Sequence, residues 1–447
     1  EFWSSNKALL NIMEKNYFEN NSTPEGLKQF LLEGDSACLT AKDDAELAIK
    51  SLGAITWYLT RCQLDHQLLS MGQFTVYTPV DLSQQLKEES ESNSITARYM
   101  VLDAVTLKNI HVLENSIGGT QGTLLSKLDL CCTQFGKRLL YQWLCNPLIS
   151  ITSIKARQQA ISALLEEPEL MKEIRSVMSK LPDLERQLCR IYAQSSRGQL
   201  ASHPDSRAIF FEEKTYSKKK IVEFSSVLNG FQLVQDIASL LQNSGVGEKS
   251  ILLQQCSHFP TMDPPGQLPD LSDHLKFFEN AFDHEEAEKE GHIIPRPGVD
   301  PDYDNAVDAL NEMDKLLKKY LKEQCEHFGC KVTYVGTDKK RFQLEVPESA
   351  AKRAGRDYEL QGQRKGFKRY WTVKTKDLLE KQIAAEMMKK NVLHGLRKRI
   401  FSRFSERYND WSTAVQSISV LDVLISFAQY CRSQESEVCV PQFVKPE

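Results

Sequence analysis

Residues 376–431 contain no proline and a single glycine, Gly395. An apolar stripe runs through them: Leu393, Leu396, Ile400, Phe404, Tyr408, Trp411, Val415, Ile418 and Ile425 recur at spacings that keep one face of a helix. As one continuous helix this segment would measure about 80 Å at about 1.5 Å per residue. A rod of that length calls for a second one alongside. Residues 302–328 supply it, repeating Tyr303, Val307, Leu310, Met313, Leu317 and Leu321 at three- and four-residue intervals. Between the two the period drops to two. "RFQLEV" turns Phe342, Leu344 and Val346 one way and Arg341, Gln343 and Glu345 the other, while "KVTYVG" and "FKRYWTV" are rich in β-formers. The economical arrangement is an antiparallel helix hairpin with a small β-rich insertion at its tip.

That insertion carries unusual charge. "RKGFKRYWTVKT" (364–375) holds five cations and no acid. From Lys331 to Lys376 there are 13 Lys and Arg against 5 Asp and Glu, a balance of +8 on a chain of formal charge −4. The rest of the chain therefore sums to −12. One reading is a solvated face. The other is a surface for a polyanion, with the local field attracting what the body repels. Duplex DNA presents a charge about every 1.7 Å of axis, so a few lysines and arginines give non-specific, salt-sensitive binding. The candidate backbone contacts are Lys339, Lys340, Arg364, Lys365, Lys368 and Arg369. Tyr370 and Trp371 read as packing residues of a small β core.

Elsewhere the chain reads as mainly α. Residues 42–71 place Leu47, Leu52, Ile55, Tyr58, Leu59 and Leu64 at near-helical spacing, with Asp43 and Asp44 suited to the first turn. "FTVYTPV" suggests a short strand stopped by Pro79, and "SQQLKEESESNSITA" an exposed linker. "TQFGKRLLYQWLCNPL" puts Phe135, Leu139, Leu140, Trp143 and Leu144 on one face and ends before Pro147. The next helix opens at Thr152 or Ser153 as cap, and further helices cover about 168–192, 206–243 and 268–290. No apolar run approaches the ~20 residues of a membrane span, and the N-terminus is no secretory signal. Eleven dispersed cysteines without CxxC spacing fit reduced thiols inside a cell. A start in mid-pattern at Glu1 and a stop at "VKPE" are what a piece of a longer protein would give.

Catalytic patterns are weak, and the chain is not expected to be an enzyme by itself. "NSGVGEKS" (243–250) lacks the Gly-Lys step of a phosphate loop, and Glu248 would repel a phosphate. Cys325, His327 and Cys330 could hold a metal only with a further ligand nearby, so a helix end with buried thiols is expected. Asp283, His284 and Glu285 point apart on a helix. The vicinal Cys131 and Cys132 carry no evident mechanism.

The stretch "MVLDAVTLKNIHVLEN…GGTQGTLLSKLDLCCTQFGKRLLYQWLCNPL" (100–148) resembles the start of the lever region of the MutS mismatch-repair family, whose pattern runs "LDAxTxxNLE" and then "G(T/S)LLxxLDxxxTxxGxRxLxxWLxxPL". "LPDLERQL" (181–188), "GVDPDYDNAVDAL", "CKVTYVGTDKKRFQLEVPES", "RYWTVKTKDLLEKQIAAE" and "SVLDVLISFAQY" resemble later landmarks of that family. "HPDSRAIFFEEKTYSKKKI" (203–221) and residues 2–80 are similar to its eukaryotic homologue 6 branch. The resemblance implies an elongated helical lever bundle in which two long antiparallel helices carry a β-rich clamp, after a partial α/β connector. Its divisions would be connector 1–83, linker 84–98, lever 99–300, clamp helix and tip 301–376, returning helix 377–432, and a lead-in to an ATPase domain at 433–447.

It also implies a nuclear parent protein that binds mismatched double-stranded DNA as a heterodimer with MutS homologue 2, using ATP and Mg²⁺ held outside these residues, with no membrane partner. This chain would hold no cofactor and no metal. The family's Phe-x-Glu wedge is not matched. "FFE" at 210–212 and 277–279 reads as helix, and no Walker motif is present. A reading from another class is a helical scaffold whose basic tip docks an acidic protein or an anionic membrane.

Overall fold

A computed structural model of the chain describes residues 4–18, 23–35, 38–69, 72, 74, 79–82, 99–195, 213–435 and 438–443. The expected strand at 74–80, the linker, and most of 203–221, including the "FFE" at 210–212, lie largely or wholly outside the described residues. The fold is mainly α with one four-stranded antiparallel sheet. It divides into two compact units, residues 1–279 with 398–447, and residues 280–397. The principal helices are α1 (Ser5–Glu14), α2 (Glu46–Arg61), α3 (Gln134–Cys145), α4 (Ile151–Leu165), α5 (Pro168–Met178), α6 (Leu184–Ala193), α7 (Glu213–Ser244), α8 (Pro301–Phe328), α9 (Val373–Ser405) and α10 (Tyr408–Ser433).

In the first unit, α10 is the central element and packs on α3, α4 and α6. An 18-residue window of it reaches a mean hydropathy of 1.3, enough by length and composition alone for a membrane span, but 72% of that window is buried inside the fold. Beside it, Phe224, Phe278, Phe401, Phe404, Phe231 and Trp411 form an aromatic cluster, with Phe404 and Trp411 stacked at 4.5 Å.

The rod expected over 376–431 is two helices, not one. The break at Glu406–Arg407 has a local cause: the Phe404 carbonyl accepts from the Arg407 amide (3.3 Å) and the Trp411 indole (2.9 Å). Leu396, Ile400, Phe404, Trp411, Val415, Ile418 and Ile425 are all buried, so the stripe is core on both sides of the break.

Other helix limits also follow from local chemistry. Ser150 caps α4, not Thr152 or Ser153. The stretch 168–192 divides at Pro182, and Asp183 caps α6. At the N-terminus α2 packs on α1 through Ile49, Gly53 and Thr56, while Leu47, Ile55 and Tyr58 of the expected stripe are exposed. Ile49 and the half-buried Leu52 pack with Ala8 and Leu9 of α1, and Leu52 and Leu59 pack with Ile12.

The second unit holds α8, the sheet and the first part of α9. Asp300 caps α8 by accepting from the Tyr303 amide at 2.8 Å, with Pro301 at the first helical position. The strands are β1 (Thr333–Val335), β2 (Gln343–Pro347), β3 (Glu359–Arg364) and β4 (Phe367–Trp371), ordered β1-β2-β4-β3. Contacts between α8 and α9 run in opposite senses: Tyr320 meets Thr372 (2.8 Å between hydroxyls), Leu317 meets Leu378, and Lys389 lies 5.6 Å from the Tyr303 ring. The pair is antiparallel, as expected.

Candidate nucleic-acid interface

The sheet is built on its own small core, made of Phe328, Val332, Leu344, Val346, Ala351 and Tyr370. Leu344 and Val346 face inward as the alternation requires, and Tyr370 is a core residue. Trp371 is half-buried, with its indole N–H enclosed and unpartnered. Strand β3, "ELQGQR", was not expected, because its burial is slight and no apolar alternation marks it. It is an edge strand fixed by pairing with β4.

The register separates the sheet into two ends. Val335 pairs with Gln343 at one end, and Pro347 with Phe367 at the other. Along β2 these ends are about 14 Å apart at about 3.4 Å per residue. The first end lies along the helices. Tyr334 donates to the Leu317 carbonyl at 3.0 Å, Phe342 joins Leu317, Tyr320 and Leu378, and Arg341 forms a two-pronged pair with Glu386 of α9 at 2.9 and 2.6 Å. Hydrogen bonds from Arg341 hold the Glu386 carboxyl below its ordinary range. The second end lies beyond α8. There Phe328, the last residue of that helix, meets Val332, Val346 and Ala351, and the β3–β4 turn reaches the Pro347 loop through a 3.0 Å bond from the Glu348 amide to the Gly366 carbonyl.

The six cations expected to form one cap are divided between these places. Lys339 and Lys340 lie in the 3-10 turn Asp338–Lys340, on the helix side; Lys340 is exposed, and the Lys339 side chain lies outside what is described. Arg364 and Lys365 are exposed at the far turn, with no carboxylate within 4.0 Å among the described residues. Lys368 is half-buried opposite Val346. Arg369 is not free: its guanidinium pairs with Glu345 across the strands at 3.1 Å. The reason is register, because β2 and β4 place these residues directly opposite on the face away from the core.

Two further cations, Lys352 and Arg356, are exposed in the loop after β2. The loop starts beside the β3–β4 turn at Glu348 and returns to the helix-side start of β3 at Glu359, opposite Trp371.

The remaining motifs are structural. Cys325 sulfur accepts from the Val332 amide at 3.3 Å, His327 stacks on Tyr358, and no cluster of metal-ligating side chains occurs among the described residues. Lys249 of "NSGVGEKS" is engaged by Glu166 at 2.9 Å. Asp283 caps a short helix, His284–Glu290. "FFE" at 277–279 contributes Phe278 to the aromatic cluster. All eleven cysteines are free thiols. A cavity of about 220 Å³ between α3, α6 and α10 contains Arg138 and Glu185, which are paired with each other at 2.6 Å.

The family model for MutS domain III matches residues 105–428. The chain is 43% identical to DNA mismatch repair protein Msh6 of Gallus gallus and 40% identical to that of Homo sapiens, each over all of the chain and 34% of the relative. DNA mismatch repair protein MutS of a Chloroflexus aurantiacus strain is 29% identical over 51% of the chain and 22% of its own length. The chain thus spans about a third of the length of the curated Msh6 relatives it matches.

Proposed function

The chain belongs to the MutS family of DNA mismatch-repair proteins, on its eukaryotic Msh6 branch, and from that premise we propose that its sheet-capped helix hairpin is a clamp that grips the backbone of duplex DNA. The observation that carries this reading is the far end of the sheet, where Arg364 and Lys365 stand exposed without a carboxylate partner. Charges left unpaired in this way are available to phosphates, and phosphate contacts hold a duplex without reading its sequence. The helical unit around α10 serves as the lever, passing movement between the DNA and the rest of the longer protein. That protein would work in the nucleus, recognising mismatched DNA as a heterodimer with MutS homologue 2, with ATP and Mg²⁺ bound outside these residues.

The test is fluorescence anisotropy of a labelled 30-base-pair duplex, perfectly paired or with one mismatch, across a potassium chloride series. Weak binding that falls steeply with salt and is equal for both duplexes is expected. Affinity indifferent to salt, or no binding at all, would remove the clamp reading.

A further inference from the structure

Residues 336–342, the loop between β1 and β2, hold their backbone in a conformation that side chains disfavour. Gly336, Asp338 and Phe342 all lie in the left-handed region, at φ 106°, 50° and 63°. Glycine adopts it freely, but an aromatic residue does so only where its surroundings impose it. At Gly336 an added Cβ would fall 2.0 Å from the Lys340 carbonyl oxygen, so the loop is also tightly closed. The surroundings are α8 and α9. Phe342 is seated with Leu317, Tyr320 and Leu378 and lies edge-on to Tyr334 at 5.3 Å. Its neighbour Arg341 reaches farther along α9, to Glu386, through both terminal nitrogens at 2.9 and 2.6 Å. Gln382, one turn earlier, donates to the same carboxylate at 3.3 Å. Yet the Arg341 Nε and the Gln382 Oε1 are enclosed without partners among the described residues, so this contact is bonded below its capacity.

The sheet runs into α9 through Thr372, between Trp371 and Val373. Glu386 lies 13 residues beyond Val373, about 20 Å along the helix at about 1.5 Å per residue. Leu378, the Phe342 contact, lies only about 8 Å along. A slip of about 1 Å therefore turns the sheet about Thr372 by about 3° at Glu386 but by about 8° at Leu378. We propose that Arg341 and Glu386 are a releasable brace that sets the angle of the sheet on the hairpin, positioning residues for duplex binding that touch no phosphate. The strain of the loop is held against this pair, and when the pair opens the loop relaxes away from α9. The role in duplex binding rests on the clamp reading given above; the brace itself does not.

The test uses charge-conserving variants of the whole 447-residue chain, because a lost charge would alter duplex binding by itself. Arg341→Lys has no second prong, and Glu386→Asp is too short for the two-pronged pair. In hydrogen exchange followed by mass spectrometry, each should speed exchange of amides 336–342 about tenfold, as loss of a charged hydrogen bond implies. Amides 344–346 and 367–371 should stay protected. Arg341→Lys/Glu386→Asp should do no more than either alone, since one contact is removed twice. By the same anisotropy assay, affinity should fall about threefold, the cost of ordering a loosened sheet, with the salt slope unchanged. Wild-type exchange in both variants overturns the brace. So does an additive double variant, and so does faster exchange that extends to 344–346 and 367–371, which makes the pair a prop of the sheet's own fold. Faster exchange in 336–342 with wild-type affinity overturns the positioning role. A wild type that binds no duplex overturns the clamp reading, and the exchange measurements still decide the brace.

Discussion

One methyl group at Gly136 should cost this fold far more than a helix glycine normally would. In most helices glycine to alanine stabilises, by about 1 kcal/mol. Here an added Cβ would lie 2.3 Å from Asp422 Oδ2 and 2.8 Å from Thr133 Oγ1. Asp422 is fully buried on α10 and accepts from the Cys132 amide (2.9 Å), the Thr133 amide (2.8 Å) and the Thr133 hydroxyl (2.7 Å). Burial pushes its carboxyl above the ordinary range, against those hydrogen bonds.

At those distances the methyl displaces the carboxylate and breaks one or two of these bonds, each worth about 1.5–3 kcal/mol when an ion is involved. Set against the helix gain, Gly136→Ala should destabilise by about 2–4 kcal/mol. Urea unfolding followed by circular dichroism measures this. Gly355→Ala, which meets no atom within 4 Å, is the control and should stay within about 0.5 kcal/mol of wild type. Placing Gly136→Ala in an Asp422→Ser background, where a shorter hydroxyl replaces the carboxylate, should recover at least about 1 kcal/mol of the loss. A neutral or stabilising Gly136→Ala would refute the claim that Asp422 fixes the start of α3.

Two further perturbations test other joints. Asp65 accepts from Tyr17 (2.7 Å), Lys15 (3.2 Å) and Thr60 (3.1 Å), and although burial opposes ionisation these bonds hold its carboxyl at about 2. A carboxyl lowered on folding stabilises above its unfolded value near 3.8 and loses that contribution as pH falls towards 2. The loss is about 2 kcal/mol, and Asp65→Asn should show a smaller drop in urea midpoint between about pH 5 and pH 2.5; an equal drop argues against it. Trp411→Phe keeps the stack on Phe404 but removes the indole donor to its carbonyl. It should cost about 2 kcal/mol from the lost bond and reduced volume, and wild-type stability would show that the break between α9 and α10 is held by something else.

Periodicity made much of this legible. The stripes of α8, α9 and α10 are long, so packing could not reverse them, and Leu344 and Val346 face the core as alternation requires. What stayed hidden depends on single side-chain contacts. The break after Ser405 turns on one indole, which a helical stripe cannot show. The N-terminal stripe was partly right: Leu52 and Leu59 pack against the clusters around α1, while Leu47, Ile55 and Tyr58 share the helical spacing but lie exposed.

At the sheet, local charge density located the basic region, but only strand register shows that Arg369 is neutralised by Glu345 and that Lys340 and Lys365 occupy opposite ends. Sequence neighbours were therefore poor guides to which cations act together.

The strap between α10 and the start of α3 has a bearing on how the chain is made. Asp422 and Ser426 bond to residues 128–133, some 290 positions earlier. A ribosome adding about 5–20 residues per second delivers those partners roughly 15 to 60 seconds after the earlier segment emerges. Through that interval Phe135, Leu140 and Trp143 wait without the helix that encloses them. Any message that stops short of Asp422 should yield a product that chaperones hold and proteases clear.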